Sequence, residues 1–169
     1  LATLVYLRLK RALVLVPSDA LRGQISKKFI DLGVLADAET VSKTIARPRV
    51  AILKSGLKSI AEAREILENA NVIVSLPNSI HESQPSALRE LVNGCSDLIV
   101  DEAHHIPAKS WAALRSHFDA KRVIQFTATP YRRDGKRIDG KIIFNYKLGD
   151  AQRDDYYQRI NLRTIAEYG

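Results

Sequence analysis

Apolar residues fall along this chain in short, nearly unbroken runs, separated by longer stretches of helical period. Five runs predict strands: Ala12 to Val16, Arg49 to Leu53, Asn71 to Ser75, Asp97 to Asp101 and Arg122 to Thr127. A strand with one face in water alternates apolar and polar side chains. These runs do not, so they read as strands buried on both faces. Between them, Asp19 to Leu32 sets Leu21, Ile25, Phe29 and Leu32 on one stripe, with Ser18 in front as a cap and Gly33 behind as a stop. Residues 60 to 70 repeat the design with Ile60, Ala63, Leu67 and Ala70, entered through Ser59-Ile60-Ala61-Glu62, the spacing of a capping box. Two further helices are expected near Ser86 to Val92 and Ala108 to Phe118, each entered close to a proline. Strands alternating with helices predict an α/β fold of three layers, a mostly parallel sheet with helices on both faces.

After Pro130 the period is lost. Arg132, Arg133, Lys136 and Arg137, mixed with Asp134, Gly135, Asp139 and Gly140, predict an exposed basic loop. Lys141 to Tyr146 then predicts a short strand, Asp150 to Tyr157 a polar linker, and Ile160 to Ile165 a last strand-like piece. The domain is therefore expected to cover residues 1–149, with 150–169 forming a linker and the start of a following segment. Trp111, on an amphipathic stretch, reads as a core or interface residue.

Composition narrows the class. A chain of 169 residues, 46% hydrophobic and 27% charged, has the make-up of one globular domain with a core of its own. Its single cysteine, Cys95, allows no internal disulfide and reads as a buried apolar filler. No apolar run approaches the roughly 20 residues that span a bilayer, so a membrane is excluded as partner and a cytoplasmic location is expected. The 26 Lys and Arg against 19 Asp and Glu give a net charge of +7, which suits a polyanionic partner without requiring one. The chain holds no Met and opens on the uncapped run Leu1 to Leu7, so its natural start is expected upstream.

The chemistry concentrates at Leu98-Ile99-Val100-Asp101-Glu102-Ala103-His104-His105, where an apolar strand ends in two carboxylates and two imidazoles. Ligand sites of open α/β sheets lie at the carboxyl ends of strands. Adjacent acids there suit nucleotide hydrolysis, Asp101 holding Mg²⁺ and Glu102 polarising the attacking water. Two other readings stay open: a solvated strand end whose acids cap the next turn, and a metal site built from Glu102, His104 and His105.

Asp101-Glu102-Ala103-His104 resembles the DEAH form of the Walker B motif of superfamily 2 helicases, and the other motifs follow in that family's order. Thr127-Ala128-Thr129-Pro130 is similar to motif III, Val14 to Gln24 to motif Ia, and Val72 to Ser79 to motif Ib. The second histidine, and the continuation through Tyr131-Arg132-Arg133-Asp134-Gly135, resemble the branch that contains the type III restriction enzyme helicase subunit. The resemblance covers roughly Leu1 to Tyr146 and implies the first RecA-like lobe of an ATP-dependent DNA helicase or translocase. The implied cofactors are ATP and Mg²⁺, and the implied partners are DNA, duplex DNA above all, and a second RecA-like lobe of the same polypeptide. It also implies that Asp101, His104, Thr127 and Thr129 face the nucleotide, and that His104 bridges the Walker B turn to motif III. Nucleic-acid contacts are implied at Pro17, Ser18, Gln24, Ser75, Asn78 and Ser79.

Two departures stand out. Leu76 occupies a motif Ib position where the family often has Thr. No Gly-x-x-x-x-Gly-Lys-Ser/Thr occurs in the 169 residues, and Lys54 to Ser59 lacks the glycine spacing of a phosphate loop. The chain alone is therefore expected to be inactive, and a non-catalytic nucleic-acid-binding module derived from a helicase lobe is the rival reading. Arg22, on a predicted helix, reads as part of a solvated face.

Overall fold

The computed structural model describes residues 2–3, 7–42, 44–105, 113–129, 131, 135 and 137–156. They form two compact units, Leu1–Ile138 and Asp139–Gly169. The first holds a five-stranded sheet of β1 (Ala12–Leu15), β2 (Val50–Leu53), β3 (Val72–Ser75), β4 (Asp97–Val100) and β5 (Arg122–Gln125). Their spatial order is β2-β3-β1-β4-β5 and every pairing is parallel. All five expected strands form, each a residue or two shorter than its apolar run, and the sheet is wholly parallel.

Parallel neighbours need crossovers, and the helices supply them. These are α1 (Asp19–Asp31), α2 (Val34–Asp37), α3 (Ile60–Asn69), α4 (Pro77–His81) and α5 (Pro85–Gly94). Side chains of successive strand residues go to opposite faces, so the core divides in two. Leu13, Leu15, Ile73, Leu98 and Val100 pack with Ala63, Ala87 and Leu91 from α3 and α5. Ala12, Val14, Val16, Val72 and Val74 pack with Phe29 from α1. β1, β3 and β4 are buried along their whole length.

The caps act as their residue types dictate. Ser18 accepts a hydrogen bond from the Leu21 amide, and Ser59 from the Glu62 amide. The Glu62 carboxylate accepts from the Lys58 amide, one residue beyond the usual reach of a capping box. At the amino ends of the strands, Arg11 donates to the carbonyls of Leu67, Ala70 and Gly94, tying together the last turns of α3 and α5. Cys95 is buried, as its role as filler requires.

Two secondary-structure expectations need correction, both in the second unit. Lys141 to Tyr146 is irregular rather than a strand, with Ile143 and Phe144 exposed, because no described segment lies alongside to take its backbone hydrogen bonds. The expected linker from Asp150 begins inside a helix, α6 (Leu148–Arg153), where Asp150 accepts from the Lys147 amide and pairs with Arg153 one turn on. The helix expected at residues 108–118 is described only from Ala113, where it is helical as far as Ser116. Trp111, Arg132, Arg133, Lys136 and the piece at 160–165 lie outside the described residues. No helix among the described residues is long and apolar enough to cross a membrane.

Candidate functional site

The carboxyl ends of β1, β3, β4 and β5 carry, in turn, Pro17–Ser18, Leu76–Ser79, Asp101–His105 and Thr127–Thr129. The turn after β4 is pinned from both sides. The Asp101 amide donates to the Leu15 carbonyl at 2.8 Å, and the Ala103 amide to the Phe126 carbonyl at 3.0 Å. Between these bonds the chain reverses at Glu102, whose φ of 48° lies in the left-handed region that residues with a Cβ seldom adopt. Strain of this sort persists only where the surroundings enforce it, and it is frequent where a side chain must be aimed. Ala103, buried, then opens a short 3₁₀ turn through His105.

Asp101 is half-buried, and its Oδ1 accepts the Glu102 amide at 3.1 Å. Its other oxygen makes no hydrogen bond among the described residues. One anchored, partly exposed carboxylate is a hard-oxygen donor of the kind Mg²⁺ takes alongside water and phosphate. Glu102 Oε2 is sealed from solvent and has no hydrogen-bond partner among the described residues. His104 Nδ1 lies 3.3 Å from it, within ion-pair distance. A buried carboxylate oxygen without a partner is costly. The rest of the side chain is open, at 38% exposure, so a water could be held against the carboxylate there, which fits the duty of a general base.

His104 Nδ1 is 2.9 Å from Thr127 Oγ1, so the turn after β4 and the segment after β5 are joined through side chains. Thr127 Oγ1 also donates to the Thr129 carbonyl at 2.7 Å and accepts the Thr129 amide at 3.2 Å. Its single proton being spent on that carbonyl, Thr127 must accept from His104. The neutral imidazole therefore carries its proton on Nδ1. The rings of His104 and His105 lie against each other with centroids 4.1 Å apart and planes tilted by 40°. Among the described residues no group of three or more His, Cys, Asp or Glu could hold a metal ion, which removes support from the Glu102, His104 and His105 metal site.

The residues expected to meet nucleic acid divide into two groups. Ser18, Gln24 and Asn78 are exposed and Pro17 is half-buried; Pro17, Ser18 and Asn78 follow strand ends, while Gln24 lies midway along α1. Ser75 and Ser79 are buried: Ser75 Oγ donates to the Leu76 carbonyl, and Ser79 Oγ to the Lys54 carbonyl at 3.1 Å. Arg22 corrects its expectation. It is buried, with Nη1 on the Leu53 carbonyl and Nη2 on Asp19, so it ties α1 to the end of β2. Ser83 escaped notice in the sequence, yet its hydroxyl accepts the Leu57 amide and donates to the Ser79 carbonyl. A lone serine in a turn gives no signal for that.

The model of the type III restriction enzyme, res subunit, family matches residues 1–132. The chain belongs to this family. A relative named Putative helicase 22, from Sulfolobus islandicus filamentous virus, is 35% identical over 86 residues, covering 47% of this chain and 15% of its own length. The DNA 3'-5' translocase XPB2 of Sulfurisphaera tokodaii is 24% identical over 142 residues, covering 78% of this chain and 30% of its own. The chain thus spans less than a third of either relative. With the all-parallel sheet and helices on both faces, the family places this chain as a RecA-like domain of the helicase type.

Proposed function

We propose that this domain is the first motor lobe of an ATP-dependent DNA helicase or translocase, with Asp101, Glu102, His104, Thr127 and Thr129 as its share of the nucleotide site. The observation that carries the reading is the 2.9 Å link from His104 to Thr127, because it joins two segments that the sequence resemblance assigns separately to hydrolysis and to coupling. Asp101 would hold Mg²⁺ at the end of β4, and Mg²⁺ with bound ATP supplies an activated γ-phosphoryl group there. Glu102 would orient a water and take its proton as the bond to ADP breaks. His104, anchored on Thr127, would transmit the position of the Walker B turn to the Thr127–Thr129 loop. Ser18 and Asn78, exposed near helix starts, and Gln24, exposed further along α1, would contact a DNA backbone without reading its sequence, while Ser75 and Ser79 hold the backbone beside Asn78. A second RecA-like lobe of the same polypeptide would complete the cleft. Nothing in the geometry favours the rival binding module, since a mere module has no need of a strained, aimed glutamate.

The test is ATP hydrolysis with and without duplex DNA, measured on the 169-residue chain and on a version extended at both ends. The extended protein is expected to turn over and to lose at least two orders of magnitude on Glu102→Gln. The short chain, which holds no phosphate loop, is expected to show no DNA-stimulated turnover. Robust turnover by the short chain, abolished by Glu102→Gln, would refute that expectation.

A further inference from the structure

A cavity of about 440 Å³ opens between α4, the start of α5 and the helical stretch from Ala113. Its size lies within the roughly 300–1,000 Å³ of small-molecule sites. Pro77, Leu88 and Ala113 give it an accessible apolar floor, laid over Leu15, Ile80 and Leu114, which are buried. His81, Arg89 and His117 line it as well, and all three are exposed. Among the described residues no carboxylate lines it. An apolar floor ringed by one guanidinium and two imidazoles complements a flat, weakly polar body attached to an anion. A nucleotide with its phosphate is such a body. The position agrees with that chemistry, since α4 carries both Asn78, on the proposed nucleic-acid path, and the lining residues Pro77, Ile80 and His81.

We infer that this groove receives one unstacked base of a single nucleic-acid strand, with Arg89 on the adjoining phosphate. The inference rests on the reading of the exposed Ser18, Gln24 and Asn78 edge as a nucleic-acid path, and it adds a base pocket to contacts that otherwise touch only backbone. Arg89 is available for this, because its one hydrogen bond among the described residues, to the Pro85 carbonyl, is long at 3.4 Å. A base docked on aliphatic side chains is held by its faces, so the pocket would be tolerant of sequence.

Two thymidine 12-mers test this, identical except that one carries a central abasic site, with affinities read by fluorescence anisotropy. The base-bearing strand is expected to bind about tenfold tighter. Ala113→Trp fills the groove from an exposed position and should bring that ratio to about one while leaving affinity for the abasic strand unchanged. Pro85→Trp, at another exposed lining position, serves if the first variant does not fold by circular dichroism. Arg89→Gln should weaken both strands and reduce the salt dependence by about one phosphate contact. Equal affinity of the native protein for the two strands overturns the base pocket alone. A tenfold ratio that survives the filled groove overturns it too, by locating the base elsewhere. Failure to bind either strand refutes the nucleic-acid path and the pocket with it.

Discussion

Arg11 is the place where the fold can be tested with least interference from the site, because it sits at the amino ends of the strands while the proposed chemistry lies at their carboxyl ends. Its guanidinium donates three hydrogen bonds, to Leu67 at 2.6 Å, Gly94 at 2.8 Å and Ala70 at 3.0 Å. These carbonyls end two helices, where the peptide dipoles leave partial negative charge that a cation stabilises. A hydrogen bond from a charged donor contributes about 1.5–3 kcal/mol, so three would set an upper bound of roughly 5–9 kcal/mol. Arg11 is only half-buried, and water can replace part of what is lost. Arg11→Met, which keeps the apolar stem, is therefore expected to cost about 2–4 kcal/mol. Arg11→Lys should recover less than half of this, since a single ammonium cannot span three carbonyls as the planar fork does. Urea unfolding followed by circular dichroism reads the loss as a shift in midpoint at constant slope. A loss below about 0.5 kcal/mol for Arg11→Met would show that the clamp is ornamental and that α3 and α5 are held by their apolar faces alone.

Two further outcomes follow from buried positions. A Cβ at Gly56 would lie 2.5 Å from the Glu82 carbonyl oxygen and 2.7 Å from the Ser83 nitrogen, both backbone atoms. Gly56→Ala should accordingly destabilise by about 3 kcal/mol in thermal unfolding, and a change within 0.5 kcal/mol would contradict the packing of that loop. Burial pushes the Cys95 thiol up to about 11, so folding keeps it neutral where the unfolded chain already ionises. The unfolded state then binds fewer protons, and the thiol's contribution is lost as pH rises through the window from about 9 to 11. Cys95→Ala removes that loss, so the native protein's stability should fall relative to the variant across that window, by at most about 2–3 kcal/mol; parallel curves would refute this.

What could be read in advance follows from which forces leave a mark on residue type. Strands buried on both faces must be apolar along nearly all their length, so β1, β3 and β4 announce themselves, and Ser18 and Ser59 mark helix starts because few other side chains can accept from those amides. The pairing of His104 with Thr127 was visible only through the family resemblance, since 23 residues separate the two and nothing local in either segment names the other. Polar residues that face inward leave weaker marks still. Arg11 and Arg22 satisfy carbonyls at distant helix and strand ends, and a carbonyl is the same in every residue, so no pattern of side chains could have distinguished either arginine from a solvated one. The same logic divides the proposed nucleic-acid contacts. A hydroxyl in a turn can serve a phosphate or a neighbouring carbonyl with equal chemistry, and burial decides between them: it leaves Ser18 and Asn78 able to reach a ligand and commits Ser75 and Ser79 to the backbone. Lys141 to Tyr146 makes the converse point. Its residues have the side chains of a strand, but a strand also needs a neighbour for its amides and carbonyls, and that requirement is written in some other segment rather than in its own sequence.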